Sequence, residues 1–555
     1  MHARSRALIS VHLSVAIAAI AASSCRATDE PARLFPGYGG YHRTVSTASP
    51  EAQRWFDQGL LLVYGFNHDE AIRSFQAAAD VDPTCAMAWW GVAYANGIDV
   101  NDPEMSEAAN QAAWDAAQSA LAQLDGATPV ERALVEAVAA RYAWPAPADR
   151  RALDEAYAAA LGRAWADYPD DPDVAALYAE SLMVLQPWDY WTAAGEPVER
   201  VLEIVAVLEG AMASHPAHPG ANHFYIHAVE ASSNAGRATA AADRLRDLVP
   251  GSGHLVHMPS HVYINTGRYA DAAAANERAI AADEAYFRLA PPPAFYSLYF
   301  IHNLHFLAFA LMMEGRYEPA LAAARKLEAE VPARFLDEWL EIGDGLMPAV
   351  FHVLIRFGRW DDIVAEPDYP KARRASRAIR HYARAVALAN LDRTSDARAE
   401  LTSLDALVPE LEEGWMIGVN KAVRVLAIAR KMAEGEILWR EGRADDAYAA
   451  LREAVTLEDT LVYDEPPGWM QPVRHALGAL LLAGGEAAEA EQVYTTDLED
   501  NPENAWSLLG LEQALRAQGR TQEAGALVLR LERAWARADV EPPASCYCGV
   551  RPASD

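Results

Sequence analysis

The sequence predicts an all-α fold, a right-handed superhelical solenoid of stacked helix–turn–helix units. Three observations predict it. Ala, Leu, Glu and Arg recur at helical spacing, with almost none of the alternation that marks a half-buried strand. A Gly-Arg turn comes back along the chain, four times followed by a small residue. It stands in Gly267-Arg-Tyr-Ala-Asp-Ala272, Gly315-Arg-Tyr-Glu-Pro-Ala320, Gly358-Arg-Trp, Gly442-Arg-Ala-Asp-Asp-Ala447 and Gly519-Arg-Thr-Gln-Glu-Ala524. The spacing of such landmarks fits a repeat of about 34 residues. Each unit then leaves an apolar face that only its neighbour can cover, so the units stack.

Residues 1–25, MHARSRALISVHLSVAIAAIAASSC, place Arg4 and Arg6 before a short apolar run rich in Ala and Ser. That pattern reads as an export signal and not as a spanning helix. Ala22-Ser-Ser-Cys25 resembles the lipobox of bacterial lipoproteins, which implies lipidation of Cys25 and membrane association through that anchor alone. Residues 26–48 read as an extended linker.

Residues 49–96 hold the first units. From Ala52 to Pro83, Trp55, Gly59, Ala71, Phe75, Ala78 and Pro83 fall at repeat positions. Gly59 and Ala71 let the backbones approach closely, Phe75 and Ala78 fill the contact with the next unit, and Pro83 ends the second helix. This spacing resembles the tetratricopeptide repeat, which implies that the first helix of each unit lines a concave groove. Residues 97–215 read as an irregular helical region with breakers at Ala143-Trp-Pro-Ala-Pro147. His-rich units follow over 216–365, interrupted at Pro291-Pro292-Pro293, and further units over 366–537, with Gly478, Ala490 and Pro502 in the same frame. Residues 538–555 read as a flexible tail.

Basic residues number 47 and acidic ones 78, a formal charge of −31. This argues against nucleic acid as a partner, which needs a cationic face, and against polybasic attachment to lipid. Four cysteines cannot be a disulfide framework in so long a chain. Cys546 and Cys548 could bond to Cys85, hold a soft metal or stay unpaired; thiols one residue apart rarely bridge each other.

The histidines carry the chemistry. His223 and His227, then His254, His257 and His261, then His302 and His305, stand at i, i+3 or i+4 spacing, so each group shares one helix face. His223 and His257 are 34 residues apart, as are His227 and His261. One repeat length places them side by side on neighbouring helices, and the repeat frame sets His302, His305 and His352 at equivalent positions. Stacked helices lie about 8–10 Å apart, close enough for imidazoles to converge on one ion. A set of imidazoles in an exported protein points to copper or zinc as the cofactor, if any. The competing expectation is structural, with neutral histidines hydrogen-bonding in the core or to a bound peptide. Glu230 reads as a solvated helix residue with a carboxylate role as its alternative, and Tyr225 and Tyr263 as packing residues. His68 lies near a turn, and His215 and His218 flank prolines and are expected to face solvent. Trp188-Asp-Tyr-Trp191 and Tyr463-Asp-Glu-Pro-Pro467 are distinctive loop segments explained by packing.

Taken whole, the chain resembles a bacterial family of exported tetratricopeptide-repeat proteins carrying the HisxxxHis, GlyHisLeuValHisMetProSerHis and GlyArgTrpAsp segments. The resemblance implies fold and a cell-envelope location, not chemistry. No phosphate-binding glycine loop, Gly-x-Ser-x-Gly elbow or His-Glu-x-x-His motif is present. The expected function is therefore a scaffold binding a protein or peptide partner in its groove, with a metal site there. The alternative is a copper- or zinc-dependent oxidoreductase or hydrolase.

Overall fold

A computed structural model of the protein describes residues 31–192, 195–293, 295–411 and 414–549. The export signal and Cys25 lie outside the described residues. The fold is an all-α solenoid of antiparallel helix pairs, beginning with Pro50–Tyr64 and His68–Val81 and ending with Ala505–Ala517 and Thr521–Ala534. The strands Met416–Ile417 and Asn420–Lys421 form one short antiparallel pair in a turn. Among the described residues no helix is long and apolar enough to cross a membrane.

The predicted turns share one geometry. Gly267, Gly315, Gly358, Gly442 and Gly519 take φ between 65° and 79°, the left-handed region where a β-carbon clashes. The next N–H reaches back to a carbonyl five residues earlier, at 2.7 to 3.0 Å, closing the helix end. Two further turns adopt this conformation without glycine, at Phe66 (φ 55°) and Asp392 (φ 58°). After several of these turns the arginine pairs with an acid three residues on, as in Arg359–Asp362 and Arg443–Asp446.

The crossings are equally regular. Phe75 is wholly buried between Gly59 and Gly91, where a β-carbon on either glycine would overlap its ring. Tyr494 is held in the same way between Gly478 and Gly510.

The superhelix winds back on itself, so units far apart in the chain meet. Trp506 donates its indole N–H to the Met312 carbonyl at 2.9 Å, Gly267 lies on Pro502 and Glu503, and Gly315 lies on Trp535. Residues 31–49 are extended as expected, but clamped. Arg43 and Tyr41 bond the Asp173 carboxylate at 2.7 and 2.9 Å, while Tyr64 and His218 meet its other oxygen at 2.6 and 3.1 Å. His218 is thus buried, not solvent-facing; it also caps the Pro219–Val229 helix through the Ala221 N–H, while His215 is exposed. In the tail, expected to be flexible, Ser545 and Cys548 are buried.

Candidate metal centre

Three first helices bring the histidines together. Pro219–Val229 carries His223 and His227. Gly253–His257 carries His254 and His257, and after a break at Met258, Pro259–Asn265 carries His261. Ser297–Met313 carries His302 and His305. Pro259 at the first helical position permits a restart there, since its missing N–H has no bond to lose.

Ligand-type atoms converge in three groups: His223, His227 and His254; His227, Glu230 and His261; His257, His261 and His302. Within each group they lie within 4.8 Å of one another. His227 and His261 each belong to two groups, so the three form a continuous chain. The Nε2 atoms of His223 and His254 are 3.1 Å apart, and those of His257 and His261 are 2.7 Å apart. Two nitrogens on one tetrahedral ion stand about 3.3 Å apart, from metal–nitrogen distances of about 2.0–2.1 Å. Both pairs stand at hydrogen-bond distance, somewhat shorter than that spacing, and an ion would spread them slightly.

The other ring nitrogens are fixed by oxygens. His223 Nδ1 donates to the Tyr64 carbonyl at 2.7 Å, and His257 Nδ1 to Asn276 Oδ1 at 2.7 Å. His227 Nδ1 faces one oxygen of Glu230 at 2.9 Å and His261 Nδ1 the other at 2.8 Å. Such partners orient a ring and direct its Nε2 toward a metal. His227 Nε2 and His254 Nδ1 are buried with no hydrogen-bond partner. A buried polar atom left in that state is costly unless something outside the protein satisfies it.

All six clustered histidines except His302 are fully buried; His302 keeps partial exposure. Burial, reinforced by neighbouring imidazoles, holds His223, His254, His257 and His302 well below the ordinary histidine pKa, so these rings are neutral at neutral pH. Burial also disfavours the His261 imidazolium, but Glu465 and Glu230 outweigh it and lift its pKa to about 10. Burial raises the Glu230 carboxyl, yet His227 and His261 hold it below the usual carboxylate range. Burial and the charge of Glu230 push Glu465 up to about 7 against the pull of His261.

Two carboxylates thus complete the centre. Glu230, better explained from sequence as a solvated residue, is 2% exposed and spans His227 and His261. Its signal was the i, i+3 spacing from His227. Glu465 arrives from the Tyr463–Pro467 loop, where it contacts His261 and Tyr463. Nothing periodic announces it, because the segment lies outside every repeat frame. Trp188 stands 41% exposed with its ring edge-on to His227, centroids 5.2 Å apart, at the outer side of the centre.

His305 belongs to none of the three groups. It lies one turn beyond His302, buried with its Nδ1 unpartnered, and burial lowers its pKa to about 4. His352 is buried against Trp469, and His68 lies 3.6 Å from Asp99. Tyr225 and Tyr263 bond Glu209 and Asp243, away from the cluster.

No family model matches the chain, and no curated protein matches it. Solved structures of helical-repeat proteins do. The human IFIT1 dimer with m7Gppp-AAAA is 12% identical with a TM-score of 0.32, over 88% of this chain and 90% of that one. The Naa15/Naa10 complex bound to HypK-THB is 11% identical with a TM-score of 0.23, over 87% and 71%. The P58(IPK) TPR domain is 14% identical with a TM-score of 0.21, over 85% and 99%. Likeness at this level leaves the chemistry of the histidines to their own geometry.

Proposed function

We propose that the chain is an exported, lipid-tethered tetratricopeptide-type scaffold that holds copper or zinc in its buried histidine centre. The supporting observation is the convergence of six imidazoles and Glu230 in three linked groups, with unpartnered ring nitrogens among them. His223, His227 and His254 would hold one ion, and His257, His261 and His302 a second, with His261 giving up a proton as its ion binds. Glu230 and Glu465 would supply the charge that favours a divalent cation. The set is nitrogen-dominated, which suits copper or zinc and not magnesium or calcium.

Because these histidines face inward, a protein or peptide partner would meet other faces of the solenoid. One opening is a cleft of about 670 Å³ lined by Arg151, Arg163, Trp165 and Tyr178. The fold supports a partner-binding role by analogy alone.

Purified full-length protein, loaded and dialysed, is expected to retain copper or zinc stoichiometrically by elemental analysis. His257→Ala/His261→Ala should lose at least one ion per chain. Well-folded wild-type protein that retains neither metal would end this reading. The tether has its own test: Cys25→Ser should move the protein from the membrane fraction to the soluble one, and unchanged fractionation would refute lipidation.

One observation favours the enzymatic alternative. Glu230 holds the Nδ1 atom of His227 with one oxygen and that of His261 with the other, so one carboxylate would orient a ligand of each proposed ion, and paired ions are what two-metal hydrolases use. Its mark would be metal-dependent turnover that disappears in the same double variant.

A further inference from the structure

The described end of the chain carries a second cluster of reactive groups, apart from the histidine centre. Its backbone is held on several sides. Arg440 donates to the Cys548 carbonyl at 3.0 Å, Arg356 to the Ser545 carbonyl at 3.3 Å, and the Ser545 hydroxyl to the His475 carbonyl at 2.8 Å. Tyr547 covers Gly358, one of the left-handed turns. Contrary to the expectation from spacing, Cys546 and Cys548 are joined to each other by a disulfide, and Cys85 stays a buried free thiol. A firmly held backbone brings the two sulfurs together where a loose tail would not.

The two sulfurs are not equivalent. Cys546 is partly exposed, whereas Cys548 is 1% exposed and faces inward. Between the disulfide and the helices Ala349–Arg356, Arg374–Asn390 and Ala422–Arg440 lies a cavity of about 20 Å³, enough for one water. Arg356 and Glu436 line it. The Glu436 carboxylate and both sulfurs lie within 4.8 Å of one another. Arg356 is 5% exposed, and its Nε and Nη2 have no hydrogen-bond partner.

Burial lifts Glu436 to about 7 although Arg440, on its own helix, draws it down, and Asn390 donates to it at 3.3 Å. Tyr382 and Arg356 face it from the neighbouring helices, and His475 is tied to Asp497 at 2.9 Å. A disulfide sulfur departs as a thiolate, which a nearby cation stabilises and a nearby acid can protonate. The cavity holds one of each.

We propose that Cys546–Cys548 is a thiol-exchange site that takes electrons from a small dithiol. A thiolate of the dithiol attacks Cys546 Sγ from its exposed side and forms a mixed disulfide. The Cys546–Cys548 bond breaks, its electron pair leaves on Cys548 in the cavity that Arg356 also lines, and Glu436 gives that sulfur its proton. The second thiolate of the dithiol then attacks the dithiol's own sulfur in the mixed disulfide and expels Cys546. The reductant departs as a cyclic disulfide, both cysteines end as thiols, and Glu436 regains a proton from those the dithiol released.

The test uses the folded full-length protein and dithiothreitol, with alkylation and mass measurement of the tail peptide. Both tail cysteines are expected to become labelled while the helical signal is unchanged. Glu436→Gln should slow this opening by at least about a hundredfold, the low end of what a positioned proton donor contributes. Labelling that occurs only in denaturant, or a Glu436→Gln rate equal to that of wild type, would overturn the proposal. A second pair of variants is independent of Glu436. In Cys548→Ser, oxidised glutathione should cap Cys546 readily, while in Cys546→Ser the inward Cys548 should resist capping. Equal capping of the two would also overturn it.

Discussion

Asp173→Ala is expected to destabilise the protein by about 3–5 kcal/mol, the cost of removing one member of a buried ion-pair and hydrogen-bond network. The carboxylate is 2% exposed and joins four groups from three parts of the chain: Arg43 and Tyr41, Tyr64, and His218. Its loss leaves the Arg43 guanidinium with Asp171 alone, takes the acceptor from Tyr41, Tyr64 and His218, and loosens the extended segment 31–49. Trypsin should then cut after Arg43 far faster than in wild type, and unfolding in urea should begin at lower concentration. An unchanged urea midpoint would show that the junction carries no stability. The effect also has a pH signature. Burial alone would raise this carboxyl, but His218 and Arg43 hold it well below the usual range. A depressed folded value means that its stabilisation is present above the unfolded value of about 3.9 and is lost as the pH falls below it. Wild type should therefore lose stability more steeply than Asp173→Asn between about pH 4 and pH 2.

Phe75→Ala should cost about 3–5 kcal/mol, because the ring fills a space bounded by backbone that cannot collapse around a smaller side chain. The bounds are Gly59 on one helix and Gly91 on the next. Gly91→Val should cost about 1–3 kcal/mol by overpacking the same space. In the double variant the valine occupies volume the phenylalanine vacated, so the combined loss should fall short of the sum by at least about 1 kcal/mol. Strict additivity of urea midpoints would refute the shared-site account.

The repeat was legible because its punctuation is chemical. Glycine at the Gly-Arg turns announces the left-handed residue, and the five predicted turns adopt it. The turns at Phe66 and Asp392 escaped notice, since side-chained residues hold the same conformation only where surrounding packing imposes it. The histidine rows were legible for the same reason as the repeat: one period in the chain is one step sideways in space. His302 joins the cluster and His305 does not, although both sit on one helix, because one turn of rise carries His305 past the neighbouring rings.

What escaped the sequence was contributed by distant segments. Glu465 lies in an aperiodic loop and reaches His261 only because the superhelix winds back. His218 looked exposed beside its prolines; its burial depends on Asp173, in another unit. The bond between Cys546 and Cys548 depends on a docking surface of Arg356, Arg440 and His475 that a local reading of the tail cannot supply.

The return of the chain onto its own earlier units also sets an order of events. The three histidine helices emerge during synthesis well before the loop that brings Glu465, so a nascent or truncated chain would offer bare imidazoles to water and to any passing cation. Only the finished polypeptide seals them. A copy that stops short of the 463–467 loop lacks the second carboxylate of the cluster.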